Sequence, residues 1–298
     1  MPLIGVADGA VGDAGGEDSP RVTVLGLGLM GRPIARRLVQ AGFAVRGWNR
    51  SPLAPDLVAG IPLCATLAEA AAAEVCLLML ADSAATDAVL ERLDPHLRAG
   101  QVVLDMGSSD PAHSVAHAAR LAARGIGWVD APVSGGPEGA AAGTLAIMAG
   151  GTDADVARVR PVLEALGTVV HVGGPGSGHT TKIVNQLIVG LTIEAVAEAL
   201  TLAERCGLDP RRVQQALRGG FADSKILQIH GTRMITRDYT PGGRAALQLK
   251  DLRMAQALAR QAGLVLPHLE SAIARYEQLV ARGDGDLDHS AVHKLLWT

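Results

Sequence analysis

The chain has 298 residues, a formal net charge of −3 at neutral pH, 48% hydrophobic residues and only 2% aromatic ones. Such a length exceeds what one core usually organises, so two domains are expected; the near-neutral charge, without Lys/Arg clusters interleaved with aromatics, excludes an electrostatic nucleic-acid binder. Cys64, Cys76 and Cys206 lie far apart without metal-ligand spacing, which fits a reducing, cytoplasmic setting, argues against structural zinc and reads as inert packing thiols.

Residues 1–20 are rich in Gly, Ala and Asp and lack a basic start and an apolar h-region, so they read as a flexible extension and not as a signal peptide. Apolar strand candidates then alternate with alanine-rich helical stretches, the strands at 22–25, 44–47, 75–80, 102–105, 127–130, 145–149 and 169–172. This alternation writes a parallel sheet covered by helices. From Gly178 the strands cease, and 180–206 is a long helical candidate, apolar on nearly every side but interrupted by Lys182, Asn185, Glu194 and Glu198. Those polar residues argue against a bilayer span; burial against other helices or a second subunit is expected instead. Breaks at 219–220, 241–243 and 283–285 divide the remainder into further helices. The expected fold is an α/β Rossmann domain followed by an all-α domain, joined by a long interdomain helix. The expected segments are the extension at 1–20, a dinucleotide-binding domain at 21–178 and a helical substrate and oligomerisation domain at 179–298.

Chemistry-bearing residues sit at strand ends. The first strand runs into Gly26-Leu27-Gly28-Leu29-Met30-Gly31 and then a helical pattern. Gly26 permits the tight turn, Gly28 lets backbone approach phosphates, and Gly31 lets the helix pack on the strand, so a pyrophosphate is expected on the helix N-terminus. After the second strand come Asn49, Arg50 and Ser51, where an acidic ribose ligand would otherwise stand. Without a carboxylate to repel a 2′-phosphate, and with a guanidinium and hydroxyl as donors, NADP(H) is preferred, NAD(H) remaining open as the second cofactor. Trp48 either lies against the adenine or covers the sheet edge. Leu80, Ala81 and Ser108 follow the next strands at the same expected edge; Ser108 either bonds the nicotinamide end or caps a helix. Ser134, Gly135 and Gly136 follow another strand candidate, where successive amides beside a hydroxyl suit a carboxylate. On the long helix, Lys182 shares a face with Asn185 and Gln186, and a lysine desolvated near a helix start suits proton exchange with an alcohol or carbonyl oxygen. His171, His179, His230 and His289 have no metal-ligand spacing and read as loop or cap residues; no metal is expected.

Four motifs in order, GxGxMGxPxAxxL at 26–38, DAPVSGG at 130–136, GxGxxTKxxNQ at 176–186 and QLKDL at 248–252, resemble the β-hydroxyacid dehydrogenase family over nearly everything after residue 20. The resemblance implies Lys182 as catalytic residue, Ser134, Gly135 and Gly136 as the substrate-carboxylate loop, Asn185 and Gln186 as substrate contacts, and Ser108 and Lys250 along the cofactor. Gln186 stands where many relatives carry a second asparagine, and Phe221 either walls the pocket or packs between helices. The implied reaction is NADPH-dependent reduction of a short 3-oxo carboxylic acid, 2-hydroxy-3-oxopropionate to glycerate being the expected case. Alternatives are 3-hydroxyisobutyrate, succinic semialdehyde, threonate or glyoxylate chemistry, and, from another class, a non-catalytic NADP-binding scaffold. The implied partners are a small-molecule substrate and further copies of the chain in a homodimer or homotetramer, with neither nucleic acid nor membrane.

Overall fold

The computed structural model describes residues 19–297, and the expected extension lies almost wholly outside them. They form two compact units, the first ending at Pro175 and the second starting at Gly176.

The first unit holds eight strands: β1 Val22–Leu25, β2 Val45–Trp48, β3 Val75–Leu78, β4 Val102–Asp105, β5 Gly127–Asp130, β6 Val133–Ser134, β7 Leu145–Gly150 and β8 Gly167–Gly173. They make one sheet in the order β2-β1-β3-β4-β5-β7-β6, with β8 also paired to β7. Strands β2, β1, β3, β4 and β5 are mutually parallel, fully buried for the most part, and rich in Val and Leu. Side-chain alternation sends Val22, Val24, Val75, Leu77, Val102 and Leu104 to one face and Leu25, Cys76, Leu78 and Val103 to the other. Helices α1 (Gly31–Gln40), α5 (Gly136–Ala142) and α6 (Asp153–Glu164) cover the first face; α2 (Leu67–Ala70), α3 (Ser83–Leu93) and α4 (Pro111–Ala122) cover the second. This is the doubly wound Rossmann arrangement. Side-chain oxygens of Thr66, Asp82, Asp110 and Thr152 accept N–H groups at the starts of α2, α3, α4 and α6, which sets where these helices begin.

The sheet is not wholly parallel, as the alternation predicted. Only Ala131 and Pro132 separate β5 from β6, too few for a crossover. β5 and β6 instead run as one kinked strand along β7, antiparallel to it, pairing Asp130 with Gly150, Val133 with Ile147 and Ser134 with Ala146. Across the kink, the Met148 N–H still donates to the Pro132 carbonyl at 3.1 Å, so the register is unbroken. The consequence is positional: Ser134 ends the ladder, and the glycines after it turn directly into α5.

The second unit is helical throughout its described residues: α7 Ser177–Arg205, α8 Pro210–Leu217, α9 Lys225–Thr236, α10 Ala245–Gln261 and α11 Pro267–Leu279, then a kinked turn at Val280–Asp284 and a short 3₁₀ segment, His289–Leu296. Ile183, Ile193, Val196 and Leu200 of α7 pack with Leu227, Leu249, Leu252, Ile273, Tyr276 and Val292 in one core. By length and mean hydropathy α7 has the dimensions of a membrane-crossing helix; its buried stripe makes it the core helix of this unit. Cys64 and Cys76 are buried, as packing thiols should be, whereas Cys206, at the end of α7, is exposed.

Candidate functional site

In the first unit the glycine turn is held by sterics. Gly26 has φ +102°, and a Cβ there would lie 2.4 Å from the Met79 carbonyl oxygen; one at Gly31 would lie 1.8 Å from the Gly26 oxygen. Neither position admits a side chain. Gly28 differs, since a Cβ there would meet nothing within 4 Å, and both it and Leu29 are exposed. Gly28 is thus open to a ligand rather than closed by packing. Helix α1 starts behind Met30 with no side-chain cap and no acidic residue in its first turn, leaving N–H groups and the positive end of the dipole facing outward. A diphosphate fits that cradle.

Asn49, half-buried after β2, is spent on the turn itself: its Oδ1 accepts the Leu27 N–H at 3.0 Å and its Nδ2 donates to the Ser51 carbonyl at 2.8 Å. It brackets the glycine turn onto β2, while Arg50 and Ser51 stay exposed. Trp48 is 7% exposed and packs with Leu25, Cys64 and Leu78, so it covers the sheet and offers no adenine platform. Leu80 is half-buried and Ala81 exposed beyond β3. Beyond β4, the buried Asp105 accepts the Gly107 N–H at 2.9 Å and the Ser109 hydroxyl at 3.3 Å, fixing the loop that carries half-buried Ser108. Asp110, not Ser108, caps α4, which disposes of the capping role for Ser108. The Ser83 hydroxyl oxygen accepts the Asp110 N–H at 2.8 Å and ties the β3 and β4 loops together. At the end of β6, Gly135 (φ +139°) and Gly136 (φ +67°) both need the left-handed side of backbone space, and Glu138 stands in the first turn of α5.

In the second unit Lys182 sits in the second turn of α7 and is partly buried. Burial pushes its ammonium down to about 8; the charge of Asp251 opposes the fall and that of Lys250 adds to it. Lys250 lies 3.3 Å from the Asp251 carboxylate. Gln186 uses both amide hydrogens on α10, donating to Gln248 Oε1 at 3.1 Å and Asp251 Oδ2 at 3.0 Å, while its Oε1 accepts from Asn185 Nδ2 at 2.8 Å. Gln248 Nε2 returns a bond to the Gln186 main-chain carbonyl at 3.0 Å. Helix α10 comes this close because of Gly190, one turn on, where a Cβ would lie 2.8 Å from Gln248 Nε2 and 3.0 Å from Leu252. Gln186 is therefore a bracket between α7 and α10, with no donor left for a substrate. Phe221 is fully exposed in the loop after α8, so it does not pack between helices.

The histidines depart from the loop-and-cap expectation. His179 lies buried in α7, half-buried His230 lies in α9 and half-buried His171 in β8, while His289 opens the 3₁₀ segment beside His230. Ligand atoms of His230, Asp288 and His289 come within 4.8 Å of one another, as do those of Asp87, His113 and His117 in the first unit. Sequence spacing could not reveal the first cluster, drawn from α9 and the 3₁₀ segment; in the second, His113 and His117 stand four residues apart on α4, a spacing the sequence did offer, and only Asp87 of α3 was hidden. Asp251 and Gln248 were in view within the QLKDL motif but given no role, and Asp105 was missed. The signal for the first two was two polar residues on the apolar stripe of α10, in step with Leu252, Ala255 and Ala259.

A cradle of this kind on a doubly wound sheet, with a depressed lysine on a following all-helical unit, defines an NAD(P)-binding oxidoreductase acting on CH–OH groups. Residues 21–174 match the family model described as the NAD binding domain of 6-phosphogluconate dehydrogenase, and 176–296 the one described as NAD-binding of NADP-dependent 3-hydroxyisobutyrate dehydrogenase. The chain belongs to the β-hydroxyacid dehydrogenase family. It is 41% identical to 2-hydroxy-3-oxopropionate reductase of Escherichia coli, over 91% of this chain and 95% of that one. It is 34% identical to 2-(hydroxymethyl)glutarate dehydrogenase of Eubacterium barkeri, over 94% and 95% of the two chains. The crystal structure of 3-hydroxyisobutyrate dehydrogenase from Salmonella typhimurium superposes with a TM-score of 0.84 at 29% identity, covering 92% of this chain and 99% of that one.

Proposed function

We propose that the chain is an NADPH-dependent reductase of a short 3-oxo carboxylic acid, 2-hydroxy-3-oxopropionate being reduced to glycerate. The observation that carries this reading is Lys182, an ammonium brought to about 8 by burial beside Asp251 and Lys250, where it exchanges a proton near neutral pH. The 41% identity to a reductase of that name supports the choice of substrate.

The glycine turn fits a dinucleotide: Gly28 is open where backbone must approach phosphate, and α1 presents uncapped N–H groups. Gly26 to Met30 would hold the pyrophosphate, Arg50 and Ser51 a 2′-phosphate, and Leu80, Ala81, Ser108 and Lys250 the remainder of the cofactor. Bound there, the reduced nicotinamide supplies a hydride. The chain's own residues do the rest. The Ser134 hydroxyl and the main-chain N–H groups of Gly135 and Gly136 hold the substrate carboxylate and set the reach to its carbonyl. Asn185 orients the substrate. As the carbonyl carbon gains the hydride, its oxygen takes a proton from Lys182, which is left as a neutral amine and regains a proton from water. Before transfer, the ammonium stabilises the forming oxyanion, a contribution of about 3 kcal/mol for a preorganised charge. Asp251 favours the charged form of Lys182 and Lys250 the neutral one, so the pair tunes the donor between both roles.

A homodimer or homotetramer belongs to the same proposal, with a second copy covering Val184, Ile188 and Leu202, exposed on α7; so does a cytoplasmic setting, which keeps NADPH and the exposed Cys206 reduced. The test is a panel of aldehydo acids of increasing length, each with NADPH and NADH. Fastest turnover of 2-hydroxy-3-oxopropionate with NADPH is expected. Preference for a longer semialdehyde, or for NADH, would replace the substrate or the cofactor assignment, and no turnover of any member would favour the scaffold reading.

A further inference from the structure

Behind the lysine site runs a line of polar groups that crosses the core of the second unit. Its far end is Asp288, fully buried. Oδ1 of Asp288 accepts the Ser290 N–H at 3.1 Å and the Ser290 hydroxyl at 2.6 Å; Oδ2 accepts the N–H groups of Gly242 and Gly243 at 3.0 and 3.3 Å, and the Arg233 guanidinium lies 3.5 Å away. With its lone pairs engaged and a cation beside it, this carboxylate is a poor metal ligand, so its cluster with His230 and His289 reads as a relay of polar contacts, hydrogen-bonded from His230 onward and joined to Asp288 by a charge contact at 3.4 Å.

The direction of each bond follows from one fixed acceptor. The Gln186 main-chain carbonyl can only accept, so Gln248 turns Nε2 toward it and Oε1 away. That Oε1 faces Gln186 Nε2 at 3.1 Å and His289 Nδ1 at 3.3 Å. An amide oxygen only accepts, which puts the His289 proton on Nδ1. Burial, followed by the charge of His230, drives the His289 imidazolium down to about 3, so the ring is neutral and its Nε2 is an acceptor. His230 Nε2, 3.3 Å from it, must then donate, and His230 Nδ1 lies 3.4 Å from Asp288 Oδ1. The Tyr276 hydroxyl fixes the other side of His289 by donating to its main-chain carbonyl at 3.2 Å.

We propose that His289, backed by His230 and Asp288, is a positioning residue for the proton donor: it locks the Gln248–Gln186 amide pair that holds Asp251, the carboxylate whose charge acts on Lys182. The proposal rests on the role assigned to Lys182 above. When the His289 donor is lost, Gln248 Oε1 keeps one partner instead of two and the amide pair loosens. Asp251 then loses the Gln186 N–H that shares its charge, and its pull on Lys182 grows. Among the described residues, the charges that act on the lysine include those of Asp251 and Lys250 on α10, and the ring next in line is His289, itself flanked by His230 and Arg233 of α9. More charge on Asp251 raises the lysine, so the alkaline limb for oxidation of the hydroxy acid, which needs neutral Lys182, moves to higher pH.

Two measurements on the full chain test this. Imidazole nitrogen NMR of the wild type reads the His289 tautomer without any turnover: a proton on Nδ1 is expected, and a proton on Nε2 overturns the relay. In pH–rate profiles, His289→Leu should lower kcat about tenfold and move the alkaline limb up by roughly half a pH unit or more, with the KM for NADPH unchanged. His289→Asn keeps an N–H donor near the Nδ1 position and should restore both. An unmoved limb in His289→Leu, or an Asn variant no better than Leu, overturns the positioning role; should the Leu variant not fold, the Asn profile and the wild-type spectrum decide. A wild-type profile whose limb survives Lys182→Ala would instead sink the proposed donor while leaving the tautomer assignment standing.

Discussion

The two units build their sites from different materials. The first relies on backbone: a glycine turn closed by carbonyl oxygens at Gly26 and Gly31, an uncapped helix start and two left-handed glycines after β6. The second relies on side chains: Lys182 beside Asp251 and Lys250, with amides and imidazoles ranked behind them. A backbone site depends on the absence of side chains and fails when one is added. A side-chain site depends on protonation and orientation, and fails when a partner is removed. The two should therefore break under different substitutions and report through different measurements.

The sharpest break is expected at Lys182. Lys182→Ala should lower kcat at least ~1,000-fold, on the order of 4 kcal/mol of transition-state stabilisation, while NADPH titration by fluorescence stays near the wild-type value. In the wild type, reduction needs the ammonium, so its rate should fall as pH rises through about 8 and oxidation should rise over the same interval. Loss of cofactor affinity together with activity would show that the lysine serves binding instead.

A pair of glycine substitutions separates packing from ligand approach within the first unit. Gly31→Ala forces a Cβ to 1.8 Å from the Gly26 oxygen, and thermal or urea unfolding should show a loss of about 1–3 kcal/mol as the turn is displaced. Gly28→Ala meets nothing within 4 Å, so stability should change by less than ~0.5 kcal/mol. Its NADPH affinity should nevertheless fall about tenfold, ~1.4 kcal/mol. Equal effects of the two on stability would deny Gly28 its open position. Comparable in size is the effect expected at exposed Arg50. Arg50→Ala should raise the KM for NADPH about tenfold, the value of one charge-assisted bond, and leave NADH unchanged; a loss shared equally by both cofactors would place the 2′-phosphate elsewhere.

This division also explains what could be read before any coordinates. Gly26, Gly28 and Gly31 announce themselves because a backbone demand leaves a residue-type signature at fixed spacing. The strands β1, β3 and β4 were equally plain, since a strand buried on both faces is a near-continuous apolar run. The antiparallel turn of β5 and β6 along β7 was not, because Pro132 kinks a strand that remains in register, and local pattern cannot show which neighbour it pairs with. On α7, Lys182, Asn185 and Gln186 were visible as polar residues in an apolar helix, yet their partners were hidden. Gln248, Asp251, His230 and His289 come from three other segments, and only the close approach at Gly190 brings α10 within bonding distance. Of the two roles that the rarity of Phe221 suggested, packing between helices is excluded by its full exposure.

The smallest effect expected concerns a carboxyl on α7 away from the lysine site. Burial pushes Glu194 up to about 7, with Arg275 opposing and Glu198 adding to the shift, and one of its carboxyl oxygens is buried without a hydrogen-bond partner. An unfolded glutamate ionises near 4.5. Between that pH and 7 the folded chain therefore holds the extra proton, and stability falls as pH rises across this window. Glu194→Gln removes the titration while keeping the shape. Its unfolding free energy should exceed that of the wild type by about 1 kcal/mol at pH 8, the full linkage being reduced by water reaching this half-buried group, and the difference should shrink towards pH 4.5. A difference independent of pH would mean that packing, and not ionisation, sets the cost at this position.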